Sequence, residues 1–411
     1  MSKATEVEQV PPPVETRSGD FVYYVRQSSS GDGSFLYCRR NVVPGSSARE
    51  QVLVDTEKLA NNHGFVLRHL VVSDDHRFVG CLATKVGDTS NGSETSSLIV
   101  YSLNDIGEIN HLETLESVFN FVFGLDSTLF YTVLNDKLRA WKVYAHQLGM
   151  SRSKDICIYT ETNDECFVDI TRTKDRMFHI VNSSALDSSE LYIFDSRHDF
   201  WPADNKQNNT ITPLSLVRPR QKGVEYFVDH HDGEFVILTN SPKADNNGTD
   251  QIADPLPFRL VCAPTSRPSS ENWSELLSVA DDERIEDVEI FKAFIMVTIK
   301  RKGRPAVLIY DKYAKSFSEL PLPYEGFCTV RPDSNPQFDT STIRLCFSSP
   351  VHLDSVAKYD MRTMQQVQSW SSTPLHMDPS IYRIQRVCAR NENVSVPMTL
   401  IRHKNTTQSK R

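Results

Sequence analysis

Residues Asp282–Leu320 read DERIEDVEIFKAFIMVTIKRKGRPAVLIYDKYAKSFSEL. Three apolar runs follow one another at short range: Val288–Phe291, Ala293–Ile299 and Ala306–Tyr310. A weaker fourth, Ser316–Leu320, closes the series. The runs are rich in Ile, Val, Phe and Tyr, which suit a pleated, half-buried surface. Lys302-Gly303 falls between the second and third runs, where a tight turn needs a residue tolerant of positive φ. Asp311-Lys312 marks the next turn. The spacing predicts a four-stranded antiparallel meander of about 40 residues, the length of one propeller blade. A single sheet of this kind cannot bury both its faces, so it requires neighbours like itself.

The pattern recurs in both directions. Phe21–Arg26, Phe35–Arg39 and Gln51–Val54 form a first unit. Phe65 to Leu103 forms a second, with LRHLVVSDDHRFVGCLATKV and SSLIVYSL. A third covers about 112–160 around FNFVFGLDSTLFYTVLNDKLRAWKVYAH, and a fourth about 166–216 with FVDITRTKDRMFHIVNSS and ELYIFDS. The fifth covers about 222–279 with VEYFVDHHDGEFVILTNS and FRLVCAP; the opening stretch is the sixth. The seventh covers about 326–370 with TIRLCFSSP and SVAKYDM. No helical period is sustained over three turns. Short helices are expected only at Asp55–Asn62 and Asn272–Val279. The expected fold is all-β, a seven-bladed β-propeller of four-stranded antiparallel blades over residues 19–372. Residues 1–18, polar and carrying Pro11-Pro12-Pro13, are expected to be a disordered lead. Residues 373–411 begin with a Pro-containing linker. They continue as IYRIQRVCARNENVSVPMTLIRHKN, which alternates like a hairpin turning at Asn391-Glu392-Asn393.

Composition limits the function classes. Apolar residues make up 39% and charged residues 24% of 411, as in a globular chain. The net charge of −8 argues against nucleic acid as a partner. The one basic cluster, Arg218–Lys222, reads as a solvated loop. No apolar run approaches the ~20 residues of a membrane helix. The polar N-terminus has no signal core, so the seven Asn-x-Ser/Thr sequons, Asn91 to Asn405, are read as chance. The eight cysteines include no CxxC pair and sit mostly in strand-like runs. Buried free thiols in a reducing, cytoplasmic setting are expected.

The residues carry no catalytic constellation. A serine hydrolase would present G-x-S-x-G, in which small residues give the nucleophile room on a strained turn. The chain has no such pentapeptide; Gly45-Ser46-Ser47-Ala48-Arg49 has Arg49 in place of the second glycine. His230-His231-Asp232 is a poor metal site, because adjacent strand residues point to opposite faces. His230 is expected in a blade and His231 in a turn. Cys157 and Cys166 lack a second pair for zinc. Gly31-Asp32-Gly33 lacks the helix of a phosphate loop. No catalytic, cofactor-binding or metal residue is therefore assigned, and no cofactor is expected.

The final hairpin, preceded by Asp378-Pro379-Ser380, resembles the junction where the prolyl oligopeptidase family leaves its propeller and enters its catalytic domain. Three other stretches resemble its prolyl endopeptidase-like and oligopeptidase B branch. These are LFYTVLNDKLRAWKVYAHQLG, YFVDHHDGEFVILTN and ENWSELLSVADDERIEDVEIFKAFIMVTIKRKG. The resemblance spans about residues 20–403. It implies an α/β-hydrolase domain with a Ser-Asp-His triad after the propeller, which needs roughly 200 residues beyond the junction. Residues 373–411 are then expected to be a linker and the truncated start of that domain. The chain is expected to be a non-catalytic propeller that gates substrate access to a hydrolase domain and is inactive alone. The alternative is an autonomous propeller serving as a protein-interaction scaffold. Expected partners are the hydrolase domain or a protein or peptide ligand at the propeller face, with no nucleic acid and no membrane. The resemblance also implies a central channel, lined by innermost strands at Leu70–Ser73, Phe121–Gly124, Val168–Thr171 and Val288–Phe291.

Overall fold

A computed structural model describes residues 15–28, 33–43, 50–85, 96–104, 108–201, 213–242, 256–323, 328–371, 378–391 and 394–406. The first sheet holds β1 (Thr16–Ser18), β2 (Phe21–Gln27), β3 (Phe35–Asn41) and β4 (Glu50–Asp55). Helix α1 (Thr56–His63) follows. Next are β5 (Phe65–Val72), β6 (Phe78–Lys85), β7 (Ser96–Leu103), β8 (Ile109–Phe123), β9 (Thr128–Leu134), β10 (Ala140–Gln147) and β11 (Ile156–Thr160), all in one sheet. Four-stranded sheets then form in chain order. They are β12 (Phe167–Arg172) to β15 (Ser215–Arg218) through β13 (Phe178–Ser184) and β14 (Ser189–Asp195), and β16 (Tyr226–His231) to β19 (Ser274–Leu277) through β17 (Glu234–Thr239) and β18 (Arg259–Pro264). The opening stretch forms β20 (Glu283–Ile290), β21 (Phe294–Arg301), β22 (Arg304–Asp311) and β23 (Ser316–Glu319). The last four-stranded sheet holds β24 (Thr329–Pro332), β25 (Thr342–Ser349), β26 (His352–Asp360) and β27 (Gln365–Ser371); β28 (Tyr382–Asn391) and β29 (Val394–His403) make a separate hairpin. Strands pair in chain order within each sheet, antiparallel as in β21–β22 and β26–β27.

The all-β propeller class holds, but the expected seven blades do not form. The propeller has five four-stranded blades, and the second and third units run together as one seven-stranded sheet. The cause is β8. Its first half pairs β7, from Leu103↔Ile109 to Ser96↔Val118, and its second half pairs β9, from Val118↔Val133 to Phe123↔Leu129. The sequence HLETLESVFNFVF offers no Gly or Pro to break the strand between the two partners. Ser117, at φ 58°, and register shifts against both partners bend it without ending it.

Two units are compact by contact: residues Pro13–Pro255 with Val261–Ser274, and Leu256–Leu260 with Glu275–Arg411. Within each, neighbouring sheets cover one another. In the larger unit Val143, Val168, Ile170 and Phe194 share a cluster drawn from two sheets. In the smaller unit Phe294, Met296 and Ile309 of one sheet meet Ile343, Phe347 and Tyr359 of the next. Burying these faces is what makes the isolated meander stable.

Local side-chain and backbone chemistry sets the helix ends and the turns. Asp55 caps α1 by accepting from the backbone N–H of Glu57 and Lys58, at 3.1 and 3.2 Å, and Gly64 ends it at φ 67°. Lys302 and Gly303 both adopt positive φ, 48° and 73°, as a two-residue hairpin turn demands. The turns after β5 and β12 are built alike. Ser73 Oγ donates to Asp75 (2.6 Å) and accepts from Phe78 N, and Thr173 Oγ1 does the same with Asp175 (2.7 Å) and Phe178 N. The second expected helix, Asn272–Val279, is not formed. A single 3-10 turn at Ser270–Asn272 precedes β19, because Trp273 packs on Tyr226 and the chain continues as an edge strand.

Candidate functional site

The sequence candidates fall apart as sites. Gly45–Arg49, Gly31 and Asp32 lie outside the described residues. His230 and His231 are both buried and end β16, so His231 is a strand residue rather than a turn residue. His230 Nδ1 meets the carboxylate of Asp175, and its ring lies against Phe178 and Phe235. This is a packed, hydrogen-bonded core histidine. Cys157 is exposed and Cys166 buried. Among the described residues no group of three His, Cys, Asp or Glu side chains can hold a metal ion. The Arg218–Lys222 loop is more than a solvated cluster. Arg220 turns inward to Ser183 Oγ (2.8 Å) and Glu161 (3.2 Å), and its backbone N–H donates to Glu190.

The segments expected to line a channel lie at the first strands of their units, but their large side chains face the cores. Phe121, Phe123, Val168 and Ile170 are all buried, and Phe121 fills the space that a side chain at Gly80 would occupy. The polar residues beside them link neighbouring sheets of the larger unit. Asn120 donates to Asp169 and, at 2.9 Å, to the Ile170 carbonyl. Lys174 N donates to Asp229 at 2.9 Å. Arg172 and Arg176 both meet Asp74, at 2.8 and 2.6 Å. Burial holds the Asp169 carboxyl above its ordinary range and pushes Asp229 up to about 6. This acid row leaves a trace in the sequence: the tripeptide Phe-Val-Asp recurs at Phe167–Asp169 and Phe227–Asp229.

A second candidate lies in the smaller unit. The β28–β29 hairpin is in register from Tyr382↔His403 to Asn391↔Val394. Val387↔Met398 and Ala389↔Val396 are opposed, with Leu400 across from Gln385, so these apolar residues share one face. Val396, Met398 and Leu400 are 44%, 42% and 50% exposed. The other face carries Ile384, Arg386, Cys388 and Pro397, and rests on the β21–β22 turn. At Gly303 a Cβ would come within 2.5 Å of Arg386 Nη2 and 3.5 Å of Pro397. The register thus places Ile384 and Val387 on opposite faces.

The fold defines a β-propeller protein. Residues 1–370 match the model described as "Prolyl oligopeptidase, N-terminal beta-propeller domain", and the chain belongs to the prolyl oligopeptidase family. It is similar to the protein called prolyl endopeptidase-like of Gallus gallus, 25% identical over 87% of this chain and 44% of that protein. It is also similar to dipeptidyl aminopeptidase BI of Pseudoxanthomonas mexicana, 26% identical over 89% of this chain and 47% of that one. In fold it matches oligopeptidase B from Leishmania major, with a TM-score of 0.75 at 22% identity over 96% of this chain and 54% of that one. The chain spans about half the length of the curated relatives it matches. The residues that match the family model end at 370, before β28 and β29.

Proposed function

We propose that this chain serves as the substrate-gating propeller of a prolyl oligopeptidase-type serine hydrolase, docking a hydrolase domain through the exposed face of its final hairpin. In this reading the propeller opens at β1, which takes Thr16–Ser18 out of the expected lead, and runs to residue 372, and 373–411 are the linker and first hairpin of the hydrolase domain. The chain contributes no catalytic residue, admits peptides of limited size and works in the cytoplasm. Among the described residues no helix is long and apolar enough to cross a membrane.

The observation that carries the reading is the apolar face of Val396, Met398 and Leu400, left half-exposed beyond the family match. Covering it would remove about 200–250 Å² of apolar surface from water, worth roughly 5–6 kcal/mol at about 25 cal/mol per Å². A lone hairpin is marginal in water and gains most from a partner that supplies its other layer. The test mixes the full chain with a separately expressed hydrolase half of a family member and measures peptide cleavage. Association with preference for short peptides is expected, and Met398→Glu with Leu400→Glu should abolish it. Association unchanged by those substitutions, or a mixture that cleaves long and short peptides equally, would refute the reading. A chain that binds other proteins through this face but no hydrolase half would favour an interaction scaffold instead.

A further inference from the structure

The hairpin's other face closes a second site. A cleft of about 890 Å³ lies between β28, the β21–β22 turn and the β23 edge of the smaller unit. Its lining holds four cations, Arg301, Lys302, Arg304 and Arg386, against one carboxylate, Glu319. This local excess of positive charge sits in a chain whose net charge is −8, so it is not a reflection of overall composition.

Two of the cations are already engaged. Arg301 binds Glu283 and Glu319, the latter at 2.8 Å, and Lys302 faces Asp282 at 3.4 Å. Arg304 and Arg386 have no carboxylate partner among the described residues. The Nε of Arg386 is buried with no acceptor, and its guanidinium lies close against the Gly303 turn. Arg386 and Arg304 both line the cleft, and a planar carboxylate matches the fork geometry of a guanidinium. The wall beside these cations is apolar: Ala306 and Leu320 are buried and Leu322 is partly so. The volume lies in the range of sites that take several residues of a ligand, far more than a single small anion fills.

We propose that this cleft binds an extended acidic peptide, with one carboxylate on Arg386 and Arg304 and a neighbouring apolar side chain on the Leu320–Leu322 wall. The site is independent of the hydrolase reading, since it uses the opposite face of the hairpin.

The probe is a fluorescein-labelled peptide of alternating Glu and Leu, six residues long, titrated with the full chain and followed by anisotropy. Saturable binding that weakens as salt rises is expected. Arg386→Ala and Arg304→Ala should each weaken it about tenfold, and Arg386→Lys should restore only part, because an ammonium lacks the fork. Arg284→Ala, which removes an exposed charge paired to Glu286 on β20, should leave affinity unchanged. In a Cys157→Ser background the bound peptide should slow alkylation of Cys388, which lines the cleft. Should Arg386→Ala fail to fold, the exposed Arg304 decides. Loss of affinity in Arg284→Ala equal to that in Arg304→Ala would reduce the binding to general charge and overturn the proposal. So would binding of inorganic phosphate without binding of the peptide, or absence of peptide binding at millimolar concentration.

Discussion

Asp229→Asn should stabilise this protein at neutral pH and leave it nearly unchanged in mild acid. Asp229 lies on β16, where its Oδ1 accepts from Lys174 N at 2.9 Å and from His230 N at 2.7 Å. Those bonds favour the carboxylate. Burial opposes it more strongly, and the nearby Asp175 adds repulsion, so the carboxyl rises from 3.8 to about 6. The folded value lies above the unfolded one. The group's contribution is therefore fully present below about pH 4 and is lost as pH rises through about 6. A shift of about two units corresponds to roughly 3 kcal/mol at pH 7.5, and nearer 2 because Asp229 retains some solvent contact. Asparagine keeps an acceptor for the Lys174 N–H and carries no charge to bury. Urea unfolding of both chains at pH 4 and pH 7.5 is the assay. The stability difference should grow by about 2 kcal/mol in favour of Asn across that range. A difference that stays flat with pH, or an Asn variant weaker at pH 7.5, would mean that the backbone donors outweigh burial and the reasoning fails. Asp229→Ala, which leaves the Lys174 N–H without its acceptor, should cost about 1–2 kcal/mol at pH 4, and that cost should shrink by about 2 kcal/mol at pH 7.5, because the same titrating carboxyl is removed.

Three further outcomes follow from the packing. His146 is fully buried between Asp155 (2.6 Å) and Glu113 (3.2 Å); burial alone would lower its pKa, but the two carboxylates raise it, so its stabilisation is present below pH 6.5 and lost as pH rises through the elevated value. His146→Gln should therefore lose about 3 kcal/mol at pH 6 and clearly less at pH 9, measured by urea unfolding, and an equal loss at both would refute the charged clamp. Gly303→Ala adds a side chain at φ 73° and presses on Arg386, so it should cost about 1–2 kcal/mol and raise hydrogen exchange in β28, with no change there counting against the hairpin contact. Cys157 and Cys388 should react first with a thiol reagent in the native chain. Cys81 and Cys262, whose thiols burial pushes up to about 12, should react only on unfolding, and early labelling of either would contradict the packing.

Much of this was legible in the residues. The alternation of Ile, Val and Phe with polar residues set the strand period, and Lys302-Gly303 marked a turn through local backbone chemistry. Those signals act within a few residues, so one chain is enough to read them. The family resemblance rested on the same stretches and held. The blade count failed at β8, where nothing local stops the strand between Glu113 and Phe121, and pairing on both sides decided that one strand serves two partners. The candidate sites were also beyond local reading. Val387 and Ile384 look alike in sequence, yet the register places one on the exposed face and the other beside Arg386. Whether Arg386 meets an acid depends on which strands lie against β28, and whether Asp229 carries a charge depends on how much water its neighbours exclude. Secondary structure was determined by short-range sterics and hydrophobic period; strand partners, burial and the charges they shift were decided by contacts between residues far apart in the chain, which only the tertiary fold brings together.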